Sequence, residues 1–184
     1  MNIANKLTIL RIILIPFFIL CFYIHALDIP VSLLGFETTW AHAAGLIIFS
    51  LAATTDWLDG HLARKLALIS DFGKFMDPLA DKMLTTAAFL IFVDQGLLAS
   101  WIVFVVLTRE FIVSGLRMTA ASKGVVIAAG WSGKFKTVLQ FALVIALLIH
   151  PELTVVNIVL IYAMTIATVV SGAEYVIKNL TVFK

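Results

Sequence analysis

Long stretches without a charge constrain this chain more than any other feature. Residues 12–27, 38–55, 83–93, 95–108, 137–151 and 153–173 contain no Asp, Glu, Lys or Arg. A helix that crosses a bilayer needs about 20 mostly apolar residues. The shorter runs reach that length only if the helices extend into their charged flanks, toward the membrane surface. The pattern therefore predicts six spans, near 7–27, 40–63, 77–95, 99–121, 134–150 and 153–177. It reads as an all-α polytopic membrane protein forming a single domain over 1–184. The chain is 62% hydrophobic and 13% charged, against roughly 45–50% and 25% for soluble domains. A water-soluble globule, a disordered tail and a secreted disulfide scaffold are all excluded. The single cysteine, Cys21, lies inside an apolar run and reads as packing material. The first run is long enough to span and no small-residue cleavage site closes it, so it reads as a span, not a leader.

The scarce charges are sorted. Lys6 and Arg11 precede or open span one, and Arg64, Lys65, Lys74 and Lys82 surround the junction of spans two and three. Arg109, Arg117, Lys123, Lys134 and Lys136 surround the junction of spans four and five, and Lys178 and Lys184 follow span six. These are all 13 basic residues, and a six-span reading puts every one on the same side. The opposite loops carry Asp28, Glu37, Asp94 and Glu152 and no cation. The positive-inside rule then assigns both termini and the two basic junctions of this multi-pass reading to the cytoplasm. Trp40 and Trp101 fall at outer ends, and Trp57 and Trp131 at inner ends, where interfacial anchors belong.

Four of the acids form a pattern across the junction of spans two and three. The chain reads Asp56-Trp-Leu-Asp59-Gly60-His-Leu-Ala63-Arg64, then Gly73, Asp77 and Asp81 at regular spacing. On a helix Asp56 and Asp59 share a face, as do Asp77 and Asp81. Two helix ends joined by a short loop thus bring four carboxylates together, where their mutual repulsion calls for a cation. Hard divalent ions such as Mg²⁺ take oxygen ligands and often share them with substrate phosphates. His61 has no second histidine at ligand spacing, which argues against zinc. Singly, each aspartate has a structural reading too. Asp77 before Pro78 suits a helix N-cap, and Asp81 beside Lys82 suits an interfacial pair. Asp71, in the same junction, reads as a solvated loop acid.

This pattern resembles the signature of the CDP-alcohol phosphotransferases, D-x2-D-G-x2-A-R-x8-G-x3-D-x3-D. Asp56, Asp59, Gly60, Ala63, Arg64, Gly73, Asp77 and Asp81 match all eight fixed positions without a gap. At ordinary residue frequencies the odds are on the order of 10⁻¹⁰ per window. The resemblance implies the CDP-alcohol phosphotransferase fold of six transmembrane helices, usually a homodimer, with its site open to the cytosol. It implies a reaction in which an acceptor hydroxyl displaces CMP from a CDP-linked lipid. Asp56, Asp59 and Asp77 would then hold one or two Mg²⁺ or Mn²⁺ ions against the diphosphate. Asp81 would serve as general base, with a metal contact as well. Gly60 and Gly73 suit either close approach to the cytidine or helix packing through small residues. Arg64 suits either a bidentate phosphate contact or a boundary marker. Ala63 completes the CDP-lipid side, and Asn5 and Thr8 resemble a recurrent family opening near the nucleotide. Ala4 stands where that opening usually has proline.

Span four carries Arg109 and, eight residues on, Arg117, roughly on one face of a helix. An arginine within a bilayer costs at least about 2.5–3.5 kcal/mol, so it must face a polar cavity or snorkel. With Lys134 at the head of span five, these cations suit a phosphate belonging to the acceptor. Arg117, Lys123 and Lys136 also read as plain markers of the cytoplasmic side. The stretches 109–117 and 133–137, and the opening 10–18, are similar to the phosphatidylglycerophosphate synthase branch of the family. That similarity implies CDP-diacylglycerol as donor and sn-glycerol 3-phosphate as acceptor, in phospholipid biosynthesis. Two rival acceptors within the family are phosphatidylglycerol (a cardiolipin synthase) and inositol phosphate. A small membrane transporter is the rival from another class, but no charge sits midway along spans one, two, five or six. Nothing in the sequence calls for a nucleic-acid partner.

Overall fold

Helix occupies all six charge-poor stretches of the chain. The computed structural model describes residues 3–66, 71–124, 127 and 130–179, and the side chains of these except 3–6, 56–66, 71–78 and 81. The helices are α1 (Ile3–Cys21), α2 (Trp40–Leu66), α3 (Asp71–Asp94), α4 (Ser100–Ser122), α5 (Trp131–Ile149) and α6 (Val155–Lys178). Among the described residues, α5 and α6 are long and apolar enough to cross a membrane by length and composition. Two shorter apolar stretches, Leu7–Cys21 and Trp40–Thr55, lie within α1 and α2. In α4 the shortfall from the expected six follows from Arg109, Glu110 and Arg117 within the helix, whereas the side chains of α1, α2 and α3 are described only in part. Helices α2, α3 and α4 carry their Asp, Glu, Lys and Arg inside the helix instead of beyond its ends.

The connection after α1 departs from an all-α fold. Helix α1 stops at Cys21 instead of continuing to residue 27, and a 3-10 turn follows at His25–Leu27. Two short strands, β1 (Pro30–Leu33) and β2 (Phe36–Thr39), then pair antiparallel, with Val31 opposite Thr38 and Leu33 opposite Phe36. Their two-residue turn, Leu34-Gly35, has φ of 53° and 86°. Positive φ at both centres gives the backbone twist that suits a tight hairpin. Glycine is at ease there; Leu34 is not, and its side chain is 77% exposed at the tip. The Trp40 N–H donates to the Ile29 carbonyl at 3.2 Å, closing the hairpin onto the start of α2.

Short connections at 95–99 and 150–154 make successive helices run in opposite directions. One end of the bundle holds the hairpin, the C-termini of α1, α3 and α5, and the N-termini of α2, α4 and α6. That end has Asp28, Glu37, Asp94 and Glu152 and no lysine or arginine. Helix α1 packs on α2 and α3, α5 on α6 and α2, and α4 on α6. The core is aromatic toward the hairpin end, with Phe18, Phe49, Phe89 and Phe92 each at most 1% exposed. Phe49 bridges Phe18 and Phe141 at ring-centroid distances of 6.3 and 5.5 Å. Leu84, Leu143, Leu147 and Met164 complete it. A separate small cluster of Val113, Leu116 and Tyr175 joins α4 to α6 near the opposite end. Close side-chain packing within each cluster holds its helices together.

Candidate active site

The signature residues fall on two helices that pack together. Asp56, Asp59, Gly60, Ala63 and Arg64 lie in the second half of α2, and Gly73, Asp77 and Asp81 in the first half of α3. Helical spacing gives each aspartate pair a common face. The side chains of these eight residues, and of Asn5, lie outside the described set. Thr8 is described, and is fully buried within α1 next to the buried Arg11 one turn on. Among the described residues no three His, Cys, Asp or Glu side chains are grouped to hold a metal. A donor set of four carboxylates, by its chemistry, fits a hard divalent cation and no soft one.

Lys82, the residue after Asp81, opens the described part of the site. It lines a cavity of about 370 Å³ enclosed by α3, the second half of α4, the head of α5 and the tail of α6. Among the described residues, six cations line this space: Lys82, Arg109, Arg117, Lys134, Lys136 and Lys178. Two carboxylates, Glu110 and Glu174, accompany them. Glu174 accepts a hydrogen bond from Lys178 at 2.5 Å, one helical turn away, so that pair is balanced at the rim. Glu110 is shared. It faces Lys82 at 3.3 Å, accepts from Arg109 Nη1 at 3.2 Å, and accepts from Lys136 Nζ. Lys82 also donates to Ser114 on α4. Arg117 donates through Nε to the Tyr175 hydroxyl at 3.2 Å and lies over that ring. Lys134 sits over the Trp131 ring, 5.9 Å from its centroid.

Local structure explains how these side chains reach one space. Residues 109, 110, 113 and 117 lie on one face of α4, about one or two turns apart. Arg109 crosses α6 at Gly172, where an added Cβ would stand 2.9 Å from Arg109 Cγ. Its far end approaches Gly133 on α5, where a Cβ would stand 3.2 Å from Nη2. The two glycines thus leave a channel that the arginine fills, and its Nε has no hydrogen-bond partner among the described residues. Lys136 is 3% exposed, on the inward face of α5 next to buried Gln140.

Among the described residues that line this cavity, cations outnumber carboxylates by four. Two unit charges of like sign about 4 Å apart repel by about 4 kcal/mol at an effective dielectric near 20. Such a space favours a multiply charged anion, and a phosphate monoester carries nearly two negative charges at neutral pH.

The sequence-predicted residues Arg109, Arg117 and Lys134 all line the cavity. Lys136, which read equally as a side marker, is buried inside it, whereas Lys123 is exposed at the end of α4 and outside the lining. Lys82, Glu110 and Tyr175 were not singled out as site residues. The signal for Glu110 was an acid inside an otherwise apolar helix beside Arg109. For Lys82 it was adjacency to Asp81.

Comparison with known proteins agrees with this picture. Residues 1–171 match the sequence family described as CDP-alcohol phosphatidyltransferase. The chain is similar to the CDP-diacylglycerol–glycerol-3-phosphate 3-phosphatidyltransferase of Bacillus subtilis, 45% identical over 97% of this chain and 95% of the relative. Similarity to the proteins of the same name from Shigella flexneri and Yersinia pestis is 38% and 36%. It covers 95% of this chain in both cases, and 92% and 93% of the relatives.

Proposed function

The chain belongs to the CDP-alcohol phosphatidyltransferase family, and from that premise we propose that it transfers a phosphatidyl group from CDP-diacylglycerol to sn-glycerol 3-phosphate. The products are phosphatidylglycerophosphate and CMP. The relatives' names supply the donor and acceptor. The observation on this chain that carries the reading is the cation excess among the described residues of the cavity at Lys82, the residue after Asp81. An uncharged amino alcohol would offset none of that excess, whereas a phosphorylated acceptor offsets about two charges of it.

The acceptor's phosphate takes hydrogen bonds from Arg109, Lys134 and Arg117, with Lys136 and Lys82 at the floor of the cavity. Charge-assisted bonds of this kind are about twice as strong as neutral ones. They hold the glycerol so that its primary hydroxyl points toward α3. Asp81 takes the hydroxyl proton as the oxygen attacks the phosphatidyl phosphorus, and the bond from that phosphorus to the CMP oxygen breaks. The family is generally dependent on a divalent metal. Asp56, Asp59 and Asp77, together with Asp81, are the residues that would hold one or two Mg²⁺ or Mn²⁺ ions. The charge developing on the departing CMP is neutralised by such an ion when bound. Gly60, Ala63, Arg64 and Gly73, with Asn5 and Thr8 from α1, form the CDP-lipid side.

The six helices of this reading make one membrane domain, with the cation-rich end in the cytoplasm and the hairpin on the opposite side. The protein works as a homodimer. Support for this orientation comes from the sorting of lysine and arginine along the chain. Cysteines placed at Glu37 and at Lys123 test it in whole cells with a membrane-impermeant thiol reagent. Only the Glu37→Cys protein reacts if the orientation holds; reaction at Lys123→Cys alone overturns it.

The decisive assay supplies purified protein with CDP-diacylglycerol, Mg²⁺ and a single acceptor. CMP release with sn-glycerol 3-phosphate is expected. Release only with phosphatidylglycerol or only with inositol phosphate would reassign the acceptor.

A further inference from the structure

We propose that Glu110 is a positioning residue that ties the carboxylate-bearing helix α3 to the acceptor pocket. The proposal rests on the reaction assigned above and adds a residue to it. The Glu110 side chain is 12% exposed and meets cations from three different helices. Lys82 comes from α3, Arg109 from α4 itself and Lys136 from α5. Their side-chain exposures are 32%, 11% and 4%. Three cations so placed repel one another, and a single shared anion lets them converge. Truncating the shared anion takes a close carboxylate partner from all three cations at once, a larger disturbance than losing one surface ion pair.

The geometry gives that anion a second consequence. Lys82 follows Asp81 directly on α3, so the Lys82–Glu110 contact fixes the height of α3 against α4. Lys82 reinforces it through its hydrogen bond to Ser114, one turn beyond Glu110. On the other side Glu110 holds Arg109 and Lys136, two of the groups facing the acceptor phosphate. One carboxylate thereby sets the distance between the phosphate anchor and the base that takes the hydroxyl proton. A misplacement of about 1 Å between such groups can cost about 10²-fold in rate. Glu110 does not touch the reacting atoms in this scheme; it acts through Lys82 and Lys136.

The test is a double-mutant cycle on the purified enzyme, read by CMP release with each substrate varied in turn. Glu110→Gln should lower kcat/KM for glycerol 3-phosphate at least tenfold and leave KM for CDP-diacylglycerol within about twofold. Lys82→Met, at a half-exposed site, should act in the same direction more weakly. The double variant should be no worse than Glu110→Gln alone, because both changes cut one tie. Glu110→Asp, which keeps the charge on a shorter stem, should recover part of the loss. Losses that multiply in the double variant, or equal increases in KM for both substrates, overturn the proposal. If Glu110→Gln does not fold, as judged by gel filtration in detergent, Lys82→Met alone decides. A rise in its CDP-diacylglycerol KM matching that for the acceptor then sinks the idea. If the wild type proves to prefer another acceptor, the assigned reaction falls, and the cycle run with that acceptor still tests the tie.

Discussion

The two ends of the helical bundle hold polar clusters of opposite kinds. At the hairpin end, His42 receives the Thr39 hydroxyl within 2.9 Å of Nδ1 and stands 3.2 Å from Gln95 Oε1 through Nε2. The Asn157 amide there donates to the carbonyls of His150 and Glu152 at 3.0 and 2.7 Å, closing the last loop. These groups pair with one another inside the chain, with no lysine or arginine among them, while the buried Thr38 Oγ1 nearby has no hydrogen-bond partner among the described residues. At the other end, charged side chains from four helices converge on a cavity where cations exceed carboxylates. One cluster serves to fasten helix ends. The other gathers an excess of positive charge among the described residues and suits a multiply charged anion.

That contrast predicts a graded series of outcomes. The largest effect belongs to Asp81→Asn, which removes the proposed base and a metal ligand. CMP release should fall by about 10²–10⁴-fold, with the thermal unfolding midpoint of the purified protein unchanged within a few degrees. Next comes the phosphate anchor. Arg109→Ala or Lys134→Ala should raise the KM for glycerol 3-phosphate by roughly 10–100-fold, since a hydrogen bond to a charged group contributes about 1.5–3 kcal/mol. The KM for CDP-diacylglycerol should hardly move; equal shifts would count against a separate acceptor site.

Smaller again is the channel for Arg109. Gly172→Ala places a methyl 2.9 Å from Arg109 Cγ, near the root of the side chain, where little can give. A several-fold rise in acceptor KM is expected, and more than for Gly133→Ala, whose clash is with the mobile guanidinium. The reverse order would show that Arg109 does not run between these glycines. Smallest in activity is Gln95→Ala, at the hairpin end. It should leave both KM values unchanged while lowering stability by about 1 kcal/mol, seen as a lower unfolding midpoint. A kinetic effect there would erase the distinction between the two ends.

The helices were legible because the absence of charge over long runs has few physical explanations. The aspartate pattern was legible because its residues match all eight fixed positions of a family signature at fixed spacing. The hairpin was not. Residues 30–39 carry only two four-residue strands and a Leu-Gly turn, without the Asn-Gly signal that marks such turns most clearly. Lys136 shows the same limit within the site. As a lysine near a helix start it looked no different from Lys123, yet one is buried against Glu110 and the other exposed. Spacing along a helix says which residues share a face, but not which neighbour that face meets.

What the sequence determined by itself, then, is chemistry that resides in residue type and local spacing. A membrane-like helical chain, a sorted set of charges and a four-aspartate signature all follow from interactions within one helix or with solvent. Only the tertiary structure decided which of the 13 cations converge. The meeting of Lys82, Arg109 and Lys136 on Glu110 depends on how α3, α4 and α5 pack, and on Gly172 letting an arginine pass. Those distances are set between helices, by core packing remote from the site, and no pattern along a single helix encodes them.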